Sequence, residues 1–293
     1  MIFSGVYTAL ITPFKNGKID FDAFAKLIKY QCENGVDGIV SCGTTGESST
    51  LSYEEYEAIL DFCVKEVKNR IKIIAGSGSN STDEAVHLTQ IAKKFGCAGA
   101  LLVSPYYNKP TQNGLYLHFK AVADAVDIPI ILYNIAGRTS VNIEPETIAK
   151  LFRNCKNVVA IKEASGSLKQ MSFIKSLTPD IELISGDDML TLPLLSIGGI
   201  GVISVLSNII PAEIVSLVSA FEKGNIKEAI GIHYRLLPLI NSMFLETNPI
   251  PIKTAASLMG ICESSWRLPM CSMENSNKMK LEKILKDFNL ISL

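Results

Sequence analysis

Val158-Val159-Ala160-Ile161-Lys162-Glu163-Ala164 is a short apolar run of β character that closes on an ammonium group where a turn residue would be expected. A lysine ordinarily keeps its charge in water, so one that ends a buried strand needs a partner or a chemical task. Two readings are open from this window. In the first, Lys162 snorkels past the strand end to a surface carboxylate such as Glu163. In the second, apolar neighbours desolvate the amine and bring its pKa from about 10.4 to about 7 or 8, at roughly 3 to 5 kcal/mol. Only the neutral form attacks a carbonyl, so that outlay is typical of a Schiff-base lysine.

Seven further runs share the character of this one. Together the eight lie at residues 6–11, 38–41, 73–76, 100–104, 129–133, 158–162, 181–185 and 202–205. Between them stand segments with apolar residues at 3.6-residue spacing, among them 21–32, 53–67, 83–95 and 115–126. Strands apolar on both faces and separated by helices imply a parallel sheet. Eight such units imply an α/β fold closed into a (β/α)8 TIM barrel. Helix-start chemistry keeps the same phase: Ser52-Tyr53-Glu54-Glu55 reads as a capping box, and Pro145 fits a first helical turn. Residues 211–293 are helical in pattern, with breaks at Gly224, Asn248-Pro249, Gly260 and Pro269. The expected organisation is a catalytic barrel over 1–224 and an appended C-terminal helical region over 225–293, docked on it without a low-complexity linker.

Composition narrows the function classes. A chain of 293 residues, 47% hydrophobic, can bury a large core as one principal domain. Its net charge of −1 and the interleaving of Lys278–Lys286 with Glu282 and Asp287 argue against nucleic acid as a partner. Seven scattered cysteines, none in a CxxC pair, suit reduced thiols in a cytosol. The first residues lack a basic segment followed by an apolar one, and 198–210 is too short and polar to cross a bilayer, so a soluble cytoplasmic protein without a membrane partner is expected. His87, His118 and His233 fall in no metal-ligand spacing, so no metal is expected. Gly76-Ser77-Gly78 and Gly199-Ile200-Gly201 lack the third glycine of a dinucleotide fingerprint, and no Walker lysine follows either.

In barrels of this kind the chemistry collects where strands end and βα loops begin. The second strand runs into Gly43-Thr44-Thr45-Gly46-Glu47-Ser48. That loop offers backbone N–H groups and two hydroxyls, either as a cradle for a small carboxylate or to satisfy its own backbone. The fourth delivers Ser104-Pro105-Tyr106-Tyr107-Asn108-Lys109-Pro110, whose tyrosines suit interface packing or proton transfer. The fifth delivers Tyr133-Asn134-Ile135-Ala136-Gly137-Arg138-Thr139, a phenol at the strand end and an arginine shaped to grip a carboxylate. The sixth carries Lys162, the seventh Gly186-Asp187-Asp188, the eighth Ile203-Ser204. Such a rim suits carbonyl chemistry on a small anionic keto acid.

These loops, with Ile161-Lys162-Glu163-Ala164, Gly201-Val202-Ile203-Ser204 and Asn248-Pro249-Ile250-Pro251, closely resemble the dihydrodipicolinate synthase family over essentially the whole chain. The resemblance implies condensation of pyruvate with aspartate 4-semialdehyde to 4-hydroxy-tetrahydrodipicolinate, at the entry to diaminopimelate and lysine, with no metal or organic cofactor. It makes Lys162 the imine-forming residue and Tyr133 the general acid and base, aligned with Thr45 and Tyr107 as a proton relay. It gives the pyruvate carboxylate to Thr44 and Thr45, the semialdehyde carboxylate to Arg138, and the shape of the pocket to the backbone at Gly186 and Ile203. Tyr107 would serve a neighbouring subunit, which implies a homo-oligomer, usually a dimer of dimers.

Two departures from the family pattern stand out. Ala136 replaces a proline before Gly137-Arg138, which frees that backbone. Tyr53 and Tyr56 stand where lysine-inhibited members carry histidines, although Ser48, Asn80, Glu84 and Tyr106 match the usual lysine-effector positions. Rival readings are another Schiff-base aldolase that cleaves sialic acid or a keto-deoxy sugar acid, and a barrel that binds without catalysis. The second threonine of Gly43-Thr44-Thr45-Gly46 and the Gly137-Arg138-Thr139 clamp favour the synthase over the sugar-acid lyase.

Overall fold

The computed structural model describes residues 1–292. Among these, eight parallel strands close into a barrel: β1 (Gly5–Ala9), β4 (Gly38–Ser41), β5 (Lys72–Gly76), β6 (Gly99–Val103), β7 (Ile130–Asn134), β8 (Val158–Glu163), β9 (Glu182–Ser185) and β10 (Gly201–Ser204). Closure is made where β1 pairs with both β4 and β10. Each strand lies within two residues of its sequence-derived position at either end. The antiparallel pair β2 (Phe14–Lys15) and β3 (Lys18–Ile19) leaves no signal in the sequence, because two-residue strands show no period.

Helices α1 (Phe21–Glu33), α2 (Tyr53–Val67), α3 (Thr82–Lys94), α4 (Gln112–Ala125), the single turn α5 (Ala136–Thr139), α6 (Pro145–Asn154), α7 (Leu168–Leu177), α8 (Thr191–Ser196) and α9 (Pro211–Glu222) surround the barrel. Then come α10 (Ile226–Ser242), α11 (Ile250–Leu258) and α12 (Asn275–Asp287). The capping box at Ser52 is formed in full, with Glu55 returning to the Ser52 N–H, and Pro145 occupies the first turn of α6. Gly224, in the left-handed region at φ 78°, separates α9 from α10.

Two cores follow from strand alternation. Residues such as Ile130, Leu132, Ile161 and Leu183 pack outward against the helices. Phe3, Tyr7, Val40, Ile74, Leu101, Ile131, Tyr133, Ala160, Ile184 and Ile203 fill the barrel axis. Lys162, two residues beyond Ala160, therefore shares the inner face. Among the described residues no helix is long and apolar enough to cross a membrane, and no cluster of potential metal ligands occurs.

Candidate active site

Parallel pairing sets Lys162 directly beside Tyr133, as partners in the β7–β8 ladder. The Lys162 ammonium nitrogen lies 4.1 Å from the centre of the Tyr133 ring. Lys162 is 6% exposed and has no carboxylate within ion-pair distance among the described residues. Burial lowers its pKa to about 7, the nearby Asp188 opposes that fall, and the Arg138 charge adds to it. The snorkelling reading fails on its own partner. Glu163 is fully buried and accepts hydrogen bonds from Asn134, Gln170 and the Ser165 N–H instead. Gly186 explains itself through Lys162: a Cβ there would lie 2.9 Å from the lysine Cε and 2.8 Å from the Ala164 Cβ.

Tyr133 is also buried, and desolvation pushes its phenol up to about 12, with the Arg138 charge and a hydrogen bond from Thr44 pulling the other way. At neutral pH the phenol holds its proton. The two threonines expected in the relay and the carboxylate cradle stand in different surroundings. The threonine hydroxyl that acts on the Tyr133 phenol is that of Thr44, whereas the Thr45 hydroxyl accepts at 3.0 Å from the side chain of Asn248.

The Gly43-to-Ser48 turn closes on itself through the N–H groups of Gly46, Glu47 and Ser48. Those of Thr44 and Thr45 have no protein acceptor among the described residues, which leaves two donors available to an anion. Arg138 sits on α5, held by N–H bonds from Arg138 and Thr139 to the Ile135 carbonyl and from Ser140 to that of Ala136. A helical turn thus fixes the segment despite the alanine at 136. The guanidinium donates to the Asn248 carbonyl at 2.9 Å and is otherwise exposed at the mouth. Ile203 is buried on the barrel axis.

Tyr107 is not brought to this site. It is 90% exposed and holds φ 72°, a strained backbone for a tyrosine, with Lys109 also left-handed at φ 46°. Tyr106 instead lines a cavity of about 420 Å³ with Thr44, Arg138, Asn248, Ser48 and Glu84. The proposed effector positions Tyr53 and Tyr56 line the same cavity, while Asn80 does not. Glu84 already receives the Tyr53 phenol at 2.9 Å and the Ser79 hydroxyl. Tyr56 is a core residue, its phenol bonded to the Ser77 hydroxyl at 3.0 Å.

Sequence reasoning missed the contribution of the C-terminal helices. In the sequence Asn248-Pro249 shows only as a helix break and a family motif. Lys253 and Arg267 carried no role, yet both reach Glu47 of the threonine turn, Lys253 as a fully buried ion pair and Arg267 through its N–H. The available signal was a lone lysine in the apolar run Ile250-Pro251-Ile252-Lys253-Thr254-Ala255-Ala256, the same signal that singled out Lys162.

Comparison with known proteins agrees with this geometry. The family model described as the Dihydrodipicolinate synthetase family matches residues 2–288. The chain belongs to that family. It is 71% identical over 290 residues to the 4-hydroxy-tetrahydrodipicolinate synthase of Endomicrobium trichonymphae, covering 99% of this chain and 100% of that one. The crystal structure of dihydrodipicolinate synthase from Aquifex aeolicus superimposes with a TM-score of 0.97 at 50% identity, over 98% of this chain and 99% of the other. That of the enzyme from Cyanidioschyzon merolae with lysine bound gives 0.96 at 44% identity, over 99% of each.

Proposed function

We propose that this enzyme condenses pyruvate with aspartate 4-semialdehyde to 4-hydroxy-tetrahydrodipicolinate through an imine on Lys162. The observation that carries the reading is a buried amine with its pKa brought to about 7, set beside a protonated phenol in a barrel of this family. In its neutral form, which burial makes accessible near pH 7, Lys162 attacks the keto carbon of pyruvate. Tyr133 gives its proton to the carbinolamine oxygen so that water leaves, then takes a proton from the methyl group as the enamine forms. The enamine attacks the aldehyde, and Tyr133 protonates the new alkoxide. We assign Thr44, whose hydroxyl favours the ionised phenol, to the relay at Tyr133 in place of Thr45. Thr44 and Thr45 hold the pyruvate carboxylate through their free N–H groups and the Thr45 hydroxyl, and Arg138 grips the semialdehyde carboxylate at the mouth.

Tyr107 belongs, on this reading, to the site of a neighbouring copy, so the working unit is a homo-oligomer, most simply a dimer of dimers. Its exposure and left-handed backbone support this. We assign residues 1–224 to the catalytic barrel and 225–293 to a docked helical region, of which residue 293 lies outside the described residues. The cytoplasm is its place of work, where seven unpaired cysteines remain thiols. The wall of Ser48, Tyr53, Tyr56, Glu84 and Tyr106 is the candidate side for lysine. An incoming ammonium would have to displace the Tyr53 phenol from Glu84, which makes lysine a weak inhibitor of this chain.

Borohydride reduction in the presence of pyruvate, followed by peptide mass mapping, tests the mechanism. One reduced pyruvyl group on Lys162, with loss of activity, is expected; label elsewhere or nowhere rejects it.

A further inference from the structure

Asn248 comes from the segment between α10 and α11, outside the barrel, and is 6% exposed. Two parts of the site meet on it. Its amide nitrogen donates to the Thr45 hydroxyl at 3.0 Å, and its backbone carbonyl accepts from Arg138 at 2.9 Å. Its side-chain oxygen is buried with no partner among the described residues. Buried polar atoms are rarely left so, and an orphan at a cavity wall calls for a reason. Turning the amide over would not repair the defect: it would give the Thr45 proton an acceptor but leave both amide N–H donors without one, where the present orientation leaves the acceptor and one N–H. The amide is oriented to donate to Thr45.

That orientation has a chemical consequence. A hydroxyl oxygen that accepts from Asn248 keeps its own proton free to donate elsewhere. The pyruvate carboxylate accepts only, so a threonine locked as donor is the hydroxyl state that binds it. We propose that Asn248 is a positioning residue that polarises the Thr45 hydroxyl as a donor to the pyruvate carboxylate, and so helps set the affinity for the first substrate. The inference rests on the assignment of that carboxylate to the Thr44-Thr45 turn. The contact to Arg138 is made by the backbone and survives a change of side chain.

The test compares Asn248→Ala, Asn248→Asp, Thr45→Val and the double variant Asn248→Ala/Thr45→Val. Alanine removes the donor and should raise the KM for pyruvate about tenfold, the loss expected of one hydrogen bond to a buried hydroxyl. Aspartate keeps the shape but captures the Thr45 proton and adds negative charge, so it should raise that KM further than alanine does. The KM for aspartate semialdehyde should change less than threefold, and the double variant should be no worse than Thr45→Val. An aspartate variant equal to or better than alanine, a loss selective for the semialdehyde, or additive losses in the double variant would each overturn the proposal. Should Asn248→Ala not fold, the order of wild type and the isosteric Asn248→Asp decides it. Borohydride labelling of wild-type Lys162 is read alongside: labelling with indifferent Asn248 variants rejects this inference alone, whereas absent labelling rejects the imine mechanism beneath it.

Discussion

Lys162 and Lys253 begin alike. Each is the single lysine of an apolar run, each is buried, and each sets its nitrogen over an aromatic ring, Tyr133 at 4.1 Å and Phe14 at 4.4 Å. Burial lowers the pKa of both. What separates them is a counter-charge. Lys253 forms an ion pair with Glu47, which comes from 206 residues away in sequence, and that carboxylate opposes the effect of burial. Among the described residues Lys162 has only the field of Asp188, whose own carboxylate is engaged by the N–H groups of Val205 and Leu206. A paired amine stays charged and holds structure; an unpaired one becomes a nucleophile.

The largest expected effect comes from deleting the unpaired amine. Lys162→Met should abolish turnover and borohydride labelling while making the protein more stable. Holding an amine of ordinary value near 10.5 down at about 7 costs on the order of 4 kcal/mol at neutral pH. The sign follows from proton counting. Between about 7 and 10.5 the unfolded chain binds the proton that the folded chain has released, so wild-type stability rises with pH across that window. The advantage of methionine should be full at pH 7 and fade toward pH 10. Urea titrations at both values measure it, and a variant less stable than wild type at pH 7 would make Lys162 a structural lysine like Lys253.

The mirror experiment strips the paired amine of its partner. Glu47→Gln leaves the Lys253 ammonium buried without a counter-charge and should destabilise by about 3 to 5 kcal/mol at pH 7. The deficit should shrink as pH rises, because a lysine without its carboxylate sheds its proton more easily. Glu47 also shapes the turn that carries Thr44 and Thr45, from a left-handed backbone at φ 57°. Activity per folded molecule should therefore fall too. Stability unchanged by the substitution would show that Lys253 is neutral in the native protein, erasing the contrast with Lys162.

That contrast marks the limit of what the sequence discloses. Period and punctuation sufficed for the barrel, because each strand and helix is a local pattern; Ser52 and Pro145 begin their helices where their chemistry requires. Lys162, Tyr133 and Arg138 were legible because strand ends in such a barrel converge on one rim. The pairing of Lys253 with Glu47 and the bond from Asn248 to Thr45 span more than 200 residues and leave no trace in any window. Which of the adjacent hydroxyls, Thr44 or Thr45, acts on the Tyr133 phenol is likewise invisible, since only the turn's geometry decides it.

The smallest expected effect tests how the unpaired amine is tuned. Two charges act on Lys162 from opposite directions: Asp188 raises its pKa and Arg138, the weaker influence, lowers it. Asp188→Asn should move the midpoint for pyruvate imine formation to lower pH, and Arg138→Ala should move it to higher pH by a smaller amount. At pH 7 the Arg138 variant then has less neutral amine, and its imine forms roughly two- to threefold more slowly, a modest loss in Coulomb terms. Arg138→Lys keeps the charge and should leave the midpoint in place, although both variants impair use of the semialdehyde by losing the bidentate fork. Rapid-mixing measurements of imine formation across pH 6 to 9 separate the two roles. Identical midpoints in all three variants would mean that burial alone sets the nucleophile, leaving Arg138 only its grip on the second substrate.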